Sequence, residues 1–388
     1  EEILEGLAWL GLAHDEFVRQ SERAERHREL LEQLVGKDIA YISKEESKLA
    51  PGSTAEVVRL RNQSRDITFR DEVRGDITFH TGELGDFVIA RAIDDPLYHF
   101  AVVTDDWDMA VTHVIRGEDH ISNTSRQILI QEALGAPRPF YAHLPLILGS
   151  DRSKLSKRNG ATSLMEYRTE GFLPEGIVNY LALLGWSPGT DEEHFSLAGL
   201  AERFDLSGVQ KSPAVWDRDK LLSVNQRWMR ALTDDDFIAR GNFDASLDTK
   251  MLRKAVPLLK ERAQTMGEAR EMLEGELAGL FQTPELSREI LLAKEPEDRP
   301  GLTKAALEGL LAALEALPEG VSAEAVKEAL MPLADAEEAK GKGGRGGTLW
   351  PLRYALSGKE RSPDPFTLVV LLGLHEAISR VRAALDIL

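Results

Sequence analysis

The sequence predicts an α/β half followed by an all-helical half, and two observations carry this prediction. Between Val111 and Leu148 a β-rich run, a polar loop, a helical stretch and a second β-rich run follow one another, the order typical of a parallel sheet. Beyond Phe172, apolar residues recur almost throughout with helical spacing. A chain of 388 residues, 43% of them hydrophobic, is long enough to build two or three packed domains.

The N-terminal part is predicted to begin with two helices and to continue with antiparallel strands. The first helix ends at Gly11, and Ser21 is expected to cap a second helix that ends at Gly36. From position 54 to 79 the apolar period changes to two. Asp-Ile-Thr-Phe at 66–69 recurs at 76–79 with Arg74-Gly75 between, which indicates neighbouring antiparallel strands.

Two polar loops of the α/β region come directly after predicted strands. Tyr98–Val103 and Val111–Ile115 are β-rich runs, and the second leads into Arg116–Asp119 before a helix that starts near Ser122. Leu144–Leu148 is another strand-like run and leads into a polar loop at 149–160. Parallel sheets hold ligands at the carboxyl ends of their strands, so both loops are candidate ligand-binding segments.

The helical half has one clear amphipathic helix and one linker-like segment. Leucines at 307, 310, 311 and 314 follow Thr303 as a predicted cap, and Pro318 ends the pattern. The stretch Lys340–Gly347 is predicted to be flexible and to separate this helix from the final ones.

Charge and composition restrict the partners and the compartment. The net charge of −18 argues mildly against nucleic acid, because phosphate binding needs Lys and Arg, although some basic residues are bunched. No apolar run is long enough to cross a bilayer, and the absence of cysteine excludes disulfides and a Cys-ligated zinc site. The chain opens with Glu1-Glu2-Ile3 inside a helical pattern and has no leader-like start, so the cytoplasm is the expected compartment.

The segment Lys154–Arg158, which reads Lys-Leu-Ser-Lys-Arg, lies in the loop after a predicted strand. Three basic side chains and a hydroxyl could bind a polyphosphate, because a lysine ammonium offers a compact positive charge and an arginine guanidinium can bind two phosphate oxygens at once. A solvated basic turn is the alternative interpretation, and short motifs alone do not separate the two.

Further motifs accompany this loop in order along the chain. They are FVRQSER at 17–23, YHFA at 98–101, VTHVIRGED at 111–119, YAHLPL at 141–146, GFLPE at 171–175, NYLALLGW at 179–186 and KLLSVN at 220–225. Together with Lys154–Arg158 they resemble the bacterial-type glutamyl-tRNA synthetases, which are class I aminoacyl-tRNA synthetases. The resemblance is strong from Ile3 to about Arg230 and is weaker but collinear to the end of the chain.

The resemblance implies that the chain is a glutamate–tRNA ligase. Such an enzyme activates L-glutamate with ATP, whose phosphates carry Mg²⁺, and transfers the glutamyl group to the 3′ end of glutamate tRNA. By position, Lys157 corresponds to the lysine that contacts the ATP phosphates and the pyrophosphate leaving group. Lys154 and Arg158 complete the same mobile loop. In the first step the substrate carboxylate itself attacks phosphorus, so the protein supplies alignment and positive charge.

The remaining site residues also follow from the resemblance. Arg116 and Tyr98 correspond to residues that hold glutamate. Asp119 corresponds to a carboxylate on the ribose or adenine side of ATP, and Ile147 to an apolar residue whose backbone lies against adenine. Each has a structural alternative: Arg116 pairing with a neighbouring carboxylate, Tyr98 in the core, and Asp119 as a helix cap. Structural hydrogen bonding is expected for the nearby histidines, at 99, 113, 120 and 143.

Contacts with tRNA are expected in two places. The insertion segment that contains residues 54–79 should face the acceptor arm, by resemblance. Lys340, Lys342 and Arg345 form a basic cluster that would touch tRNA phosphate, with a glycine-rich linker as the equal alternative.

The sequence departs from the family pattern in two respects. The His-Ile-Gly-His-type loop and the Ile-Glu-Asp segment, which precede the region that matches Glu1, do not occur in it, so the catalytic domain is expected to be N-terminally incomplete. The insertion after Gly36 is short and has no cysteine, so no zinc is expected there.

The predicted domains are a Rossmann-type catalytic domain at 1–150 with a connective insertion at about 37–95, a connecting helical segment at 151–224, and an α-helical anticodon-binding region at 225–388 that divides near 300. A monomer is expected. The alternatives are a tRNA-binding relative that does not charge tRNA, the shorter enzyme that glutamylates a modified base of aspartate tRNA, and glutaminyl-tRNA synthetase. The last two lack a helical anticodon-binding region, which makes them the weaker alternatives.

Overall fold

The computed structural model describes residues 2–46, 54–155, 163–295, 297, 300–339 and 344–388. The chain divides into two compact units. The first unit consists of Glu1–Leu164 and Ile177–Leu221, and the second of Met165–Gly176 and Leu222–Leu388. Within the described residues, no helix has the length and apolar character that crossing a bilayer requires.

Strands and helices alternate in the first part of the chain. The helices are α1 (Glu2–Trp9), α2 (Ala24–Gly36), α3 (Tyr98–Asp108), α4 (Ile121–Leu134), α5 (Leu164–Glu170), α6 (Pro174–Leu183) and α7 (Leu197–Arg203). The strands are β1 (Ala40–Glu46), β2 (Thr54–Leu60), β3 (Asp66–Asp71), β4 (Gly75–His80), β5 (Phe87–Ala92), β6 (Asp95–Pro96), β7 (His113–Gly117), β8 (Phe140–Leu144), β9 (Ile147–Leu148) and β10 (Ala214–Val215).

The strands form three sheets in the first unit. One is antiparallel with the order β1-β2-β5-β6. The second has the order β4-β3-β8-β7, in which β7, β8 and β3 are parallel. Strands β9 and β10 make a short parallel pair. One apolar core, which includes Leu31, Val58, Phe69, Phe100 and Ile128, joins α2, α3 and α4 to the two larger sheets.

The predicted antiparallel pair of Asp-Ile-Thr-Phe segments is confirmed. Asp66 lies opposite His80 and Asp71 lies opposite Gly75 in the β3–β4 ladder. Gly75 has a φ of 85°, a left-handed conformation that glycine adopts without strain and that the turn requires. The repeated segments are therefore neighbouring strands of a hairpin.

The prediction of a strand at Tyr98–Val103 is wrong, because this segment begins α3. Its aromatic and β-branched composition favours a strand, but local propensity is a weak guide when packing decides. Phe100, Val103 and Thr104 are buried together with Ala101, which is the spacing of one helical face. The Thr104 hydroxyl donates to the Phe100 carbonyl at 2.9 Å within that helix.

The family-like segment at 17–23 lies against α3 and has a structural role. Buried Asp105 accepts hydrogen bonds from Gln20 Nε2, Arg23 Nε and the His27 ring, each at 2.8 Å. Ser21 lies in a 3-10 turn, and α2 begins at Ala24 without a side-chain cap, so the predicted Ser21 cap is wrong. The carboxylate of Asp105 anchors the start of α2 in place of a local cap.

The predicted helix ends are reproduced better than the caps. Helix α2 ends at Gly36, as predicted, and Gly11 follows α1 with a φ of 75°. Thr303, the predicted cap of a later helix, lies inside its first turn instead. The Glu295 carboxylate accepts from the Thr303 and Gly301 backbone N–H groups at 2.8 and 3.0 Å. A carboxylate at a helix N-terminus satisfies orphan donors and complements the helix dipole.

The second unit is helical in its described part. It takes in most of α5 and the first residues of α6. The helices that follow α7 are α8 (Arg218–Ala231), α9 (Asp234–Gly241), α10 (Thr249–Arg262), α11 (Met266–Glu274), α12 (Arg288–Leu291), α13 (Leu302–Glu315), α14 (Ala323–Ala339), α15 (Gly344–Ser357), α16 (Pro365–Leu372) and α17 (Leu374–Ile387). The predicted flexible stretch overlaps α15, so the prediction is wrong for 344–347, and residues 340–343 lie outside the described residues. Glycine is unfavourable inside a helix, but the free energy gained by packing α15 into the apolar core outweighs that penalty.

Candidate active site

The register of two parallel strands brings Arg116 beside His143. Arg116 lies in β7 and His143 directly opposite it in β8. Helix α4 follows β7 after a single 3-10 turn and presents Thr124 and Gln127, three residues apart, on its buried side. The polar side chains of two strand ends and one helix therefore converge on the Arg116 guanidinium.

The Arg116 guanidinium is half-buried and held by neutral partners. Its Nε donates to His143 Nε2 at 3.1 Å. Its Nη2 donates to Thr124 Oγ1 and Gln127 Oε1, both at 2.8 Å, and at 3.4 Å to the His120 carbonyl. The Tyr141 ring lies 5.8 Å from the guanidinium carbon, within the range of a cation–π contact. These contacts fix the side chain without neutralising its charge.

Two carboxylates close to Arg116 in sequence, Glu118 and Asp119, pair with other cations. Glu118 pairs with Arg74 and also accepts from the Leu146 backbone N–H at 3.0 Å. Asp119 pairs with Lys154. Among the described residues, no carboxylate forms an ion pair with Arg116, so the alternative of a surface pair is not what the structure contains. A half-buried cation without a carboxylate partner is suited to an anionic ligand.

Burial lowers the pKa of Arg116, while Tyr98, Tyr141 and Asp106 nearby favour its charged form. Burial also raises the pKa of Asp106, which faces the same guanidinium from α3. Tyr98 itself is 49% exposed, at the start of α3, and its ring lies 6.2 Å from that of His120. Tyr98 is therefore an accessible ring beside Arg116 and is not a core residue.

A buried carboxylate lies behind His143. The His143 Nδ1 is 2.6 Å from Asp71 Oδ2, and both side chains are fully buried. Burial lowers the pKa of His143, although Asp71 favours its charged form. Burial alone would raise the pKa of Asp71, but hydrogen bonds from Arg74 and His143 outweigh it and the pKa is lowered. Burial thus favours the neutral form of the His143 ring, and the hydrogen bonds favour the charged form of the Asp71 carboxyl.

Lys154 and Asp119 meet at the next strand end. The chain turns back after β9, with the Gly149 N–H bonded to the Ser153 carbonyl at 2.9 Å and Lys154 bridged to Leu148. The Lys154 ammonium then reaches Asp119 Oδ2 at 2.7 Å and lowers the pKa of that carboxyl. The pair is exposed, and such pairs are worth about 1 kcal/mol or less, so a phosphate could replace Asp119 as the partner.

Ile147 lies in β9 and is 36% exposed. It contributes to the lining of an apolar cavity of about 160 Å³ in the first unit, together with Leu144, Trp186 and Phe204. The backbone of β9 is bonded in parallel to β10 on one side.

The other predicted site residues are placed only in part. Lys157 and Arg158 lie outside the described residues, as do Lys340 and Lys342. Arg345 is described, and its Nε forms ion pairs with Asp335 at 2.7 Å and Glu338 at 2.9 Å. The Arg345 guanidinium therefore has two carboxylate partners within its own unit.

The sequence does not single out Asp71, Thr124 or Gln127 as site residues. It predicts structural hydrogen bonding for His143, and that prediction is confirmed. The sequence does contain a signal that could have placed His143 beside Arg116. His143 is the fourth residue of β8 and Arg116 is the fourth residue of β7, and residues at equal positions of these two strands lie next to each other. Within the described residues no cluster of three or more His, Asp or Glu side chains is suited to hold a metal ion.

Comparison with known proteins divides the chain into two matched regions. Residues 42–223 match the family described as "tRNA synthetases class I (E and Q), catalytic domain". Residues 223–385 match the family described as "Anticodon binding domain".

Individual relatives match along almost the whole chain. A glutamate–tRNA ligase of Nitrosospira multiformis is 37% identical over 99% of this chain and 87% of that protein. One from Heliobacterium modesticaldum is 37% identical over 100% of this chain and 86% of that protein. The crystal structure of a glutamate tRNA ligase from Elizabethkingia meningosepticum in complex with its amino acid has a TM-score of 0.78 and 29% identity, and covers 99% of this chain and 88% of that one.

Proposed function

Because the chain belongs to the glutamyl-tRNA synthetase family of class I aminoacyl-tRNA synthetases, we propose that it charges glutamate tRNA with L-glutamate in protein synthesis. The first step joins the glutamate α-carboxylate to the α-phosphate of ATP and releases pyrophosphate. In the second step the glutamyl group passes to a hydroxyl of the terminal tRNA ribose and AMP leaves. The cytoplasm is the compartment in which we expect this reaction.

The observation that carries the proposal is the unneutralised guanidinium of Arg116. Its Nε and Nη2 are held by His143, Thr124 and Gln127. Glu118 and Asp119 beside it pair with other cations, and no described carboxylate forms an ion pair with it. A carboxylate of glutamate supplies the missing negative charge and accepts from the N–H groups that these bonds leave unused. Tyr98 offers an exposed ring and hydroxyl to the same ligand.

Attack of a carboxylate on phosphorus needs alignment and positive charge, since no nucleophile of the enzyme takes part. MgATP is the second substrate, and its phosphates would lie near the loop that begins at Lys154. Lys154 is held at the base of that loop by its bridge to Leu148, with its ammonium directed towards Asp119. Lys157 and Arg158 follow at the positions that bear the family's phosphate-binding side chains.

The match of residues 223–385 to an anticodon-binding domain supports glutamate tRNA as the partner. The shorter enzyme that glutamylates a modified base of aspartate tRNA lacks such a region, so it fits this chain less well. A relative that binds tRNA without charging it would carry the same helical region, and an activity measurement separates it from a synthetase.

The test is a charging assay with the full native reading frame, L-glutamate, MgATP and purified glutamate tRNA. Lys157→Ala should slow charging by about two to three decades, which corresponds to roughly 3–4 kcal/mol for one preorganised donor. Arg116→Gln should raise the KM for glutamate and leave the KM for ATP nearly unchanged.

Two exposed residues serve as controls. Lys304→Ala on α13 and Arg203→Gln, whose guanidinium pairs with Glu192, each remove a surface charge and should leave charging within about twofold. No charging by the unmodified protein would refute the proposed activity. Equal charging by the unmodified protein and Lys157→Ala would remove the assigned role of the loop.

A further inference from the structure

We propose that Asp71 and His143 are positioning residues that set the orientation of the Arg116 guanidinium for glutamate binding. This inference rests on the proposed function, since it concerns how Arg116 is presented to that substrate. Asp71 lies in β3, 72 positions before His143, and reaches it through the parallel pairing of β3 with β8. Neither residue needs to touch the substrate for this role.

The polarity of the hydrogen bonds allows one assignment of the protons. An arginine Nε can only donate, so His143 Nε2, 3.1 Å away, must accept. The His143 ring is then neutral with its proton on Nδ1, which donates to Asp71 Oδ2 at 2.6 Å. Asp71 therefore selects the tautomer that can hold Arg116.

Asp71 is itself fixed by backbone donors. Its Oδ1 accepts from the N–H groups of Val73 at 3.0 Å and Arg74 at 2.8 Å in the β3–β4 turn. Its Oδ2 accepts from the His143 N–H at 3.1 Å in addition to the ring. Every neighbour of the carboxylate is a donor, so the position requires a group that accepts on both oxygens.

The same polarity continues on the other side of the guanidinium. Gln127 directs Oε1 at Arg116 Nη2, and its buried Nε2 has no partner among the described residues. The Gln127 side chain is thus oriented so that its oxygen accepts from Arg116, while its nitrogen makes no hydrogen bond to the described residues. The bonds to His143, Thr124, Gln127 and the His120 carbonyl use only Nε and Nη2, and the Tyr98 side chain is a further hydrogen-bonding neighbour of the guanidinium. A glutamate carboxylate would therefore bind at the Nη1 side, beside Tyr98.

Asp71→Asn tests the assignment with almost no change in shape. The turn N–H groups keep the amide oxygen at the Oδ1 position, so the amide nitrogen takes the place of Oδ2 and faces His143 Nδ1 as a donor. It also faces the His143 backbone N–H, which loses its acceptor. The ring proton must then move to Nε2, where it opposes the Arg116 N–H. We expect the KM for glutamate to rise at least about tenfold, with the KM values for ATP and tRNA changed less than about twofold.

A matched pair at His143 tests the same polarity independently. In His143→Gln the amide oxygen can accept from Arg116 while its nitrogen donates to Asp71, so most of the glutamate affinity should return. His143→Phe keeps the ring shape without an acceptor and should raise the KM for glutamate like Asp71→Asn. If Asp71→Asn fails to fold by circular dichroism, this pair decides alone, and equal KM values for Gln and Phe overturn the proposal.

Nuclear magnetic resonance of ¹⁵N-histidine gives a readout that a merely structural role would not move. The His143 signal, assigned by its loss in His143→Gln, should show the Nδ1-protonated tautomer in the unmodified protein and the Nε2-protonated tautomer in Asp71→Asn. An Nε2-protonated ring in the unmodified protein would overturn the proposal.

Failure of this inference is distinguishable from failure of the proposed function, which would show as no charging by the unmodified protein. If Arg116→Gln leaves the KM for glutamate unchanged, Arg116 does not bind glutamate and this inference falls, while the charging activity stands. If it raises that KM while Asp71→Asn and His143→Phe do not, glutamate binding by Arg116 stands and the positioning role is refuted. Arg203→Gln, with its exposed ion pair, is the surface control.

Discussion

Asn225→Ala should destabilise the helical second unit strongly, because one buried side chain joins two of its segments. Asn225 lies in α8 and is fully buried. Its Oδ1 accepts from the Leu173 backbone N–H at 2.8 Å, and its Nδ2 donates to the Gln264 carbonyl at 2.6 Å. Gly176 lies so close that a Cβ there would meet Asn225 Oδ1 at 2.6 Å, which leaves little space for a replacement water.

The expected size follows from the two groups that the substitution leaves unsatisfied. A buried donor or acceptor without a partner costs about 1–3 kcal/mol, so two of them, with some relaxation, cost about 2–5 kcal/mol. For a unit of this size each kcal/mol lowers the melting temperature by roughly 2–4 °C, so we expect a decrease of about 5–15 °C.

The assay is urea and thermal unfolding followed by far-ultraviolet circular dichroism. Gln226→Ala is the matched control, since Gln226 is the next residue of α8 and its Nε2 also donates to backbone carbonyls, at 3.0 and 3.2 Å. Gln226 is only half-buried, so water can replace it and the cost should stay below about 1 kcal/mol. Equal effects of the two substitutions, within about 0.5 kcal/mol, would refute the reasoning.

Three further predictions concern charge. Arg380→Met in α17 should cost about 3–5 kcal/mol of unfolding free energy, because the buried guanidinium serves three carbonyls and one carboxylate. Arg382→Met, which breaks an exposed pair, should cost less than about 1 kcal/mol, and urea unfolding that ranks the two in the opposite order would contradict this. Burial lowers the pKa of His99 and His143 from the ordinary value of 6.5, so these rings take up protons more readily in the unfolded state than in the folded state. Their contribution to the free energy of unfolding is therefore complete above about pH 6.5 and is lost as the pH falls through their folded-state pKa values. The urea concentration at the unfolding midpoint should therefore decrease as the pH is lowered from about 7 to about 5, and it should decrease less in His143→Gln. Identical pH profiles of the unmodified protein and His143→Gln would count against the lowered pKa of the His143 ring. Lys154→Ala should change unfolding free energy by less than about 1 kcal/mol yet raise the KM for ATP in the charging assay, and a normal KM would argue against a phosphate contact.

Strand ends and hairpins were predictable because they depend on residues close together in the chain. The repeated Asp-Ile-Thr-Phe segments pair as predicted, and Arg116 lies near the end of β7, where the sequence predicts a ligand-binding loop. Tyr98–Val103 was predicted as a strand because its residue types favour one, whereas burial of one face against the core makes it helical. The Ser21 cap failed because Asp105, distant along the chain, anchors the start of α2. The Thr303 cap failed because the Glu295 carboxylate, in the segment that precedes α13, accepts from the first backbone N–H groups of that helix.

Taken alone, the sequence determined the family and the order of an α/β half and a helical half, because ordered motifs and periodicity are local properties that need no coordinates. Tertiary structure decided how Arg116 is held. Its partners come from β8, α4 and, through His143, from β3, and a strand pairing selects them. The polarity of those hydrogen bonds depends on burial and on which atoms face each other, and neither can be read from residue order.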